Sequence, residues 1–198
     1  SFNYRISGGE LGGGYTRKIV STKSNQNGEY FKDFYLKDDE LGRLSRGYFT
    51  INIDDSKLSS NNYIKLGNNQ SLGYAIYRIG RRDTIIDESF YIPKKAYITV
   101  NVNNYIPQKE GDRFEVQTLF PCGPKVGHNT FLNSEYATGF SGYDNFKAIN
   151  LNNKFNVLVA ESEKNIVRVI NVKNGIATNV DYEINVPPNN TIELTYNY

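Results

Sequence analysis

The chain has no tryptophan, no methionine, one cysteine and one histidine in 198 residues. A lone thiol, Cys122, excludes an internal disulfide. A zinc site needs three or four Cys or His ligands, and Cys122 with His128 cannot supply them. No stretch reaches the roughly 18 consecutive apolar residues of a membrane-spanning helix. Charge of one sign is also lacking, because 23 Lys and Arg face 21 Asp and Glu. The basic residues are scattered rather than gathered into a stripe, so nucleic acid is not an expected partner. Their densest group, Arg78, Arg81 and Arg82, reads as a solvated strand end and turn. No initiator Met precedes Ser1, which reads either as a processing site, after removal of a signal peptide, or as an arbitrary chain boundary.

Aromatics and turn formers are plentiful. There are 16 Tyr, 11 Phe and 17 Gly, a composition that favours strands and turns over helices. Alternation of apolar and polar residues places one set on one face of a strand. It recurs over 2–6, 15–22, 29–36, 49–53, 73–79, 89–92, 96–102, 113–120, 155–160, 166–173, 176–186 and 191–198. The clearest case in the middle sets Ala96, Ile98, Val100 and Val102 against Tyr97, Thr99 and Asn101. Asn27-Gly28 and Asn174-Gly175 predict hairpin tips. The last four strands read as a meander. Residues 37–44 have room for one short helical turn, and 121–153 read as one long irregular loop region. The expected fold is all-β, an immunoglobulin-like or jelly-roll sandwich. An N-terminal arm with a glycine hinge would occupy 1–14, and a single domain 15–198.

Catalysis is poorly supported, and the protein reads as a non-enzyme. Cys122 and His128 lie six residues apart, but no third residue orients them, so a surface loop with a buried thiol is the simpler reading. Glycines 8–14 continue into a strand rather than a helix, which fails the context of a phosphate loop. The acidic runs at 38–40, 54–55 and 87–88 lack the alternate-residue spacing of a calcium loop. No cofactor and no metal are expected. The stretch 133–146 interleaves rings with amides and small residues. Tyr136, Tyr143, Asp144 and Asn145 are its candidate ligand-binding side chains, with rings for apolar contact and polar groups for hydrogen bonds.

The two ends of the chain carry the remaining signal. Ile192, Leu194, Tyr196 and Tyr198 alternate with polar residues, and so do Phe2, Tyr4 and Ile6 ahead of the glycines. A strand of that quality needs a pairing partner. Together these ends resemble the fimbrial subunits of the chaperone–usher pathway, although the usual cysteine pair is missing. The resemblance implies an incomplete immunoglobulin-like sandwich polymerised by strand donation. Phe2, Tyr4 and Ile6 would then be the donor residues, and Ile192, Leu194, Tyr196 and Tyr198 the acceptor strand. It also implies an extracellular address on a cell surface, with neighbouring copies or related subunits as partners and a host or surface glycan as a further one. The competing expectation is a monomeric carbohydrate- or receptor-binding domain of a secreted toxin, phage or viral spike. An outer-membrane barrel is set aside, because most strands are too short and too charged for a lipid-facing band.

Overall fold

A computed structural model of the chain describes residues 1–8, 13–64, 73–76, 78–125, 143–150 and 154–198. The protein is all-β. Apart from two single turns of 3-10 helix, every regular element among the described residues is a strand. The chain divides into two compact units, one formed by Ser1–Lys57 and Leu66–Glu88, the other by Leu58–Lys65 and Ser89–Tyr198.

The first unit contains β1 (Phe2–Ile6), β2 (Tyr15–Val20), β3 (Tyr48–Asn52) and β4 (Gly73–Ile76). They form one antiparallel sheet in the order β2-β1-β3-β4. The N-terminal segment therefore lies inside a sheet, with partners on both edges. Its register sets Phe2 beside Ile51 and Tyr4 beside Phe49. Phe2, Tyr4, Leu36, Phe49 and Ile79 make the core. Phe49 is 0% exposed, with its ring centroid 5.4 Å from that of Phe2 and 5.1 Å from that of Tyr4. Aromatic residues at alternate positions of paired strands meet on one face, which gives this small sheet an interior.

The helical turn expected at 37–44 is present as two 3-10 turns, Asp38–Glu40 and Gly42–Leu44. Glu40 anchors the first. Its carboxylate accepts from both Nε and Nη2 of Arg17 and from the Lys37 N–H at 2.8 Å. Burial pushes this carboxyl upward, but the bonds from Arg17 and Lys37 outweigh it and hold the group below its usual range. The Asn25 carbonyl accepts from Gly28 N–H, and Asn25 N–H donates to Glu29 O at 2.8 Å, so a tight turn forms where Asn-Gly predicts one. Residues 29–36 correct the expectation of a following strand, since they run without strand pairing. Alternation still governs their faces: Phe34 and Leu36 turn to the core, whereas Phe31 and Tyr35 face water.

The second unit contains β5 (Phe90–Tyr91), β6 (Lys95–Asn103), β7 (Arg113–Phe120), β8 (Gly123–Pro124), β9 (Tyr143–Asn150), β10 (Lys154–Ala160), β11 (Lys164–Lys173), β12 (Ile176–Asn185) and β13 (Ile192–Asn197). β10-β6-β13 form a three-stranded sheet, β12-β11-β7-β9 a four-stranded one, and β5-β8 a short ribbon. The 121–153 region, read from composition as irregular, thus contains strands β8 and β9. Ala96, Ile98, Val100 and Val102 of β6 share one core with Phe114 and Val116 of β7, Val157 and Val159 of β10, and Val167 and Val169 of β11. These are the residues whose alternation predicts an inward face.

The C-terminal meander is the main correction. β11 and β12 form the predicted hairpin around Asn174 (φ 55°) and Gly175 (φ 79°), the pair of left-handed residues that a two-residue turn requires. β13 does not continue it. After Pro187-Pro188 and a left-handed Asn189 (φ 58°), the chain crosses to the other sheet and pairs in parallel with β6. Alternation fixes which side chains share a face; it carries no information about which strand lies alongside.

Candidate functional site

The end of the second unit where β12 and β13 lie has a physical irregularity. Exposure along β13 alternates, with Ile192, Leu194 and Tyr196 half-buried and Glu193, Thr195 and Asn197 exposed. The inward set, with Tyr198, packs against the shared core. Tyr198 is tied down twice: its N–H donates to Asn103 O at 3.0 Å and its hydroxyl to Val172 O at 2.9 Å. Successive backbone groups in a strand point to opposite sides. With Tyr198 N–H facing β6, the backbone groups of Leu194 and Tyr196 face β6 as well. Those of Glu193 and Thr195 point away from it. Among the described residues no strand pairs with that outer edge.

Beside this edge lies the apolar face of β12. Tyr182 sits 5.0 Å, centroid to centroid, from Tyr196, and Ile184 packs on the core. Yet Tyr182 is 40% exposed, Val180 53% and Ile176 69%. β12 is an edge strand of its four-stranded sheet, and it lies next to the unpaired edge of β13. Burial raises the Tyr196 hydroxyl to about 12, with the neighbouring Tyr182 adding to the effect, so the Tyr196 ring stays a neutral phenol at any physiological pH. Sequence reading marks Ile192, Leu194, Tyr196 and Tyr198 but passes over Ile176, Val180 and Tyr182. The signal for them is the alternation Ile176, Thr178, Val180, Tyr182, Ile184; only the missing cover is invisible in it.

The chain matches no protein-family model, no curated protein and no solved structure. The site therefore stands on its own geometry.

The other candidates fall elsewhere. Phe2, Tyr4 and Ile6 lie in β1 of the first unit, where Phe2 is 7% and Tyr4 3% exposed. The structure does not bring them together with β13 in one sheet. Tyr143, Asp144 and Asn145 open β9, which is hydrogen-bonded to β7, and Tyr136 lies outside the described residues. Cys122 is buried between β7 and β8, and His128 lies outside the described residues. Among the described residues, no three His, Cys, Asp or Glu converge as a metal site, and no helix is long and apolar enough to cross a membrane.

One carboxylate holds the hairpin that presents β12. Asp112 accepts backbone N–H bonds from Gln108 (3.1 Å), Lys109 (3.2 Å) and Asn174 (2.8 Å). Those bonds, led by the one from Gln108, hold its pKa below the ordinary Asp value. A depressed carboxylate stabilises the fold above its unfolded pKa of about 3.9, and the contribution is lost as pH falls through the lower folded value. Asp112→Asn is accordingly expected to lower the urea midpoint at about pH 7, with the gap to wild type closing by about pH 2. An equal gap at both pH values would show that the charge is not what matters.

Proposed function

We propose that this protein is a structural or adhesive subunit of an extracellular surface filament, whose copies join by β-strand addition at the outer edge of β13. The observation that carries this reading is a strand edge that no described residue pairs with, lying next to the exposed apolar side chains of β12. An added strand would take up the outward N–H and C=O groups of Glu193 and Thr195 and cover Val180 and Tyr182 with alternate side chains. Water satisfies the first need at little cost but not the second, and natural sheets seldom leave such an edge unprotected.

Donation of Phe2, Tyr4 and Ile6 to a neighbour would require β1 to leave a core in which Phe2 and Tyr4 are buried. The edge itself asks only for an extended segment with alternating apolar residues. The test is Thr195→Pro in the full chain. It removes an outward N–H and leaves the N–H groups facing β6 in place. Wild-type protein is expected to form filaments or sedimenting oligomers as concentration rises, visible by electron microscopy, and the variant to remain monomeric. Assembly that is absent from the wild type, or unchanged by the proline, would overturn the proposal.

A further inference from the structure

We infer that the first unit binds an anionic glycan through arginines carried on its two loops at 41–47 and 78–82. The loops are joined by a 2.9 Å bond from Gly42 N–H to Ile79 O, just beyond the paired ends of β3 and β4. Arg43 follows the donor of that bond and Arg78 precedes its acceptor, with Arg46 on the same loop as Arg43. All three are exposed. No ion-pair partner for them occurs among the described residues, whereas Arg81 pairs with Asp83 and Arg82 with Asp38. Residues 41–53 and 73–82 hold five arginines and not one Asp or Glu. The flanking Asp38 and Asp83 are taken up by Arg82 and Arg81, so Arg43, Arg46 and Arg78 on two abutting loops are left to pair with an anion from outside.

The chemistry of the patch selects the kind of anion. Arginine presents a planar fork that grips sulfate or carboxylate in a bidentate manner, and its charge does not titrate. Asp38 and Asp39 border the patch and break any long positive track. Duplex DNA, with one charge per about 1.7 Å of axis, needs such a track. A polysaccharide bearing one charge per ring or fewer does not. Apolar surface is interleaved with the arginines: Leu44 is 72% exposed and Tyr35 68%, with the Arg82 guanidinium 4.9 Å from the Tyr35 centroid. Such faces suit the carbon side of a sugar ring. This inference does not rest on strand addition, since its residues lie in the other unit.

The experiment measures binding of the full chain to chondroitin sulfate, to polygalacturonate and to duplex DNA at one low salt concentration. A triple variant, Arg43→Ala with Arg46→Ala and Arg78→Ala, is compared with a charge-matched control, Lys95→Ala with Lys109→Ala and Lys125→Ala. Wild type is expected to bind at least one of the two glycans more tightly than DNA. The arginine variant should lose about tenfold or more, and the lysine control less than threefold. The corresponding triple Arg→Lys variant should lie between, because it keeps the charge and loses the fork. No glycan binding, equal loss in both triples, or tighter binding to DNA would each overturn the inference. Circular dichroism of every variant, including the control with the half-buried Lys95, checks that it folds.

Discussion

Asn165→Ala is expected to destabilise the second unit by about 3 kcal/mol or more. Asn165 is 0% exposed at the start of β11, between Lys164 and the apolar pair Ile166-Val167. Its Oδ1 accepts from Ala160 N–H at 2.8 Å. Its Nδ2 donates to Ala160 O and Glu163 O, both at 2.9 Å, and to Ile184 O at 3.3 Å. One side chain thus ties the end of β10, the turn into β11, and β12. Alanine removes every bond and leaves the backbone groups buried, which is the costly half of the exchange. Asn165→Asp keeps the shape but turns an oxygen toward those carbonyls, so its folded pKa should rise. Its deficit is then largest at neutral pH, shrinks as pH falls through that raised value, and is smallest below about pH 4, where the unfolded carboxyl also binds its proton. Urea melts at both pH values distinguish the two variants. A loss below about 1 kcal/mol for alanine would mean that water replaces the amide.

Phe49→Ala is expected to cost the first unit about 3–5 kcal/mol, the usual range for deleting a fully buried ring. The ring touches Phe2 and Tyr4 across the β1–β3 pair, so its loss opens the core at its centre rather than at its rim. Amide exchange in β1 and β3 reads this locally. At 1.4 kcal/mol per factor of ten, those amides should exchange at least about a hundredfold faster. Phe31→Ala supplies the contrast: Phe31 is 82% exposed, and its removal should change exchange by less than about threefold. Similar losses for both rings would show that the core is not where burial places it.

Much of this fold is legible in the sequence, because most of its strands have one wet and one dry face. Ala96, Ile98, Val100 and Val102 announce their burial, and Asn174-Gly175 announces its turn. Three things are not legible. Residues 29–36 carry the same alternation as a strand, and only the absence of a pairing partner makes them irregular. β13 reads as the neighbour of β12 but belongs beside β6, because periodicity does not encode adjacency. Asn165 looks like the last of the polar turn residues that follow Ala160, and its bonds exist only once three separate segments have met. The candidate edge divides in the same way: Ile192, Leu194, Tyr196 and Tyr198 are visible in advance, whereas the bareness of the edge and of β12 is a property of the assembled sheets.

The parallel pairing of β13 also dictates an order of events during folding. The β11–β12 hairpin closes over a two-residue turn, a process of microseconds. Asn101 and Glu193, hydrogen-bonded neighbours across β6 and β13, stand 92 positions apart. Contacts of that separation are slow, because a long loop must be closed before any of them forms. For that interval the edge of β6 stands open beside the exposed face of β12. Whatever extended segment arrives first, from the same molecule or another, can take the place that β13 later fills. Rapid dilution from denaturant and slow dialysis should therefore give different proportions of monomer and intertwined dimer.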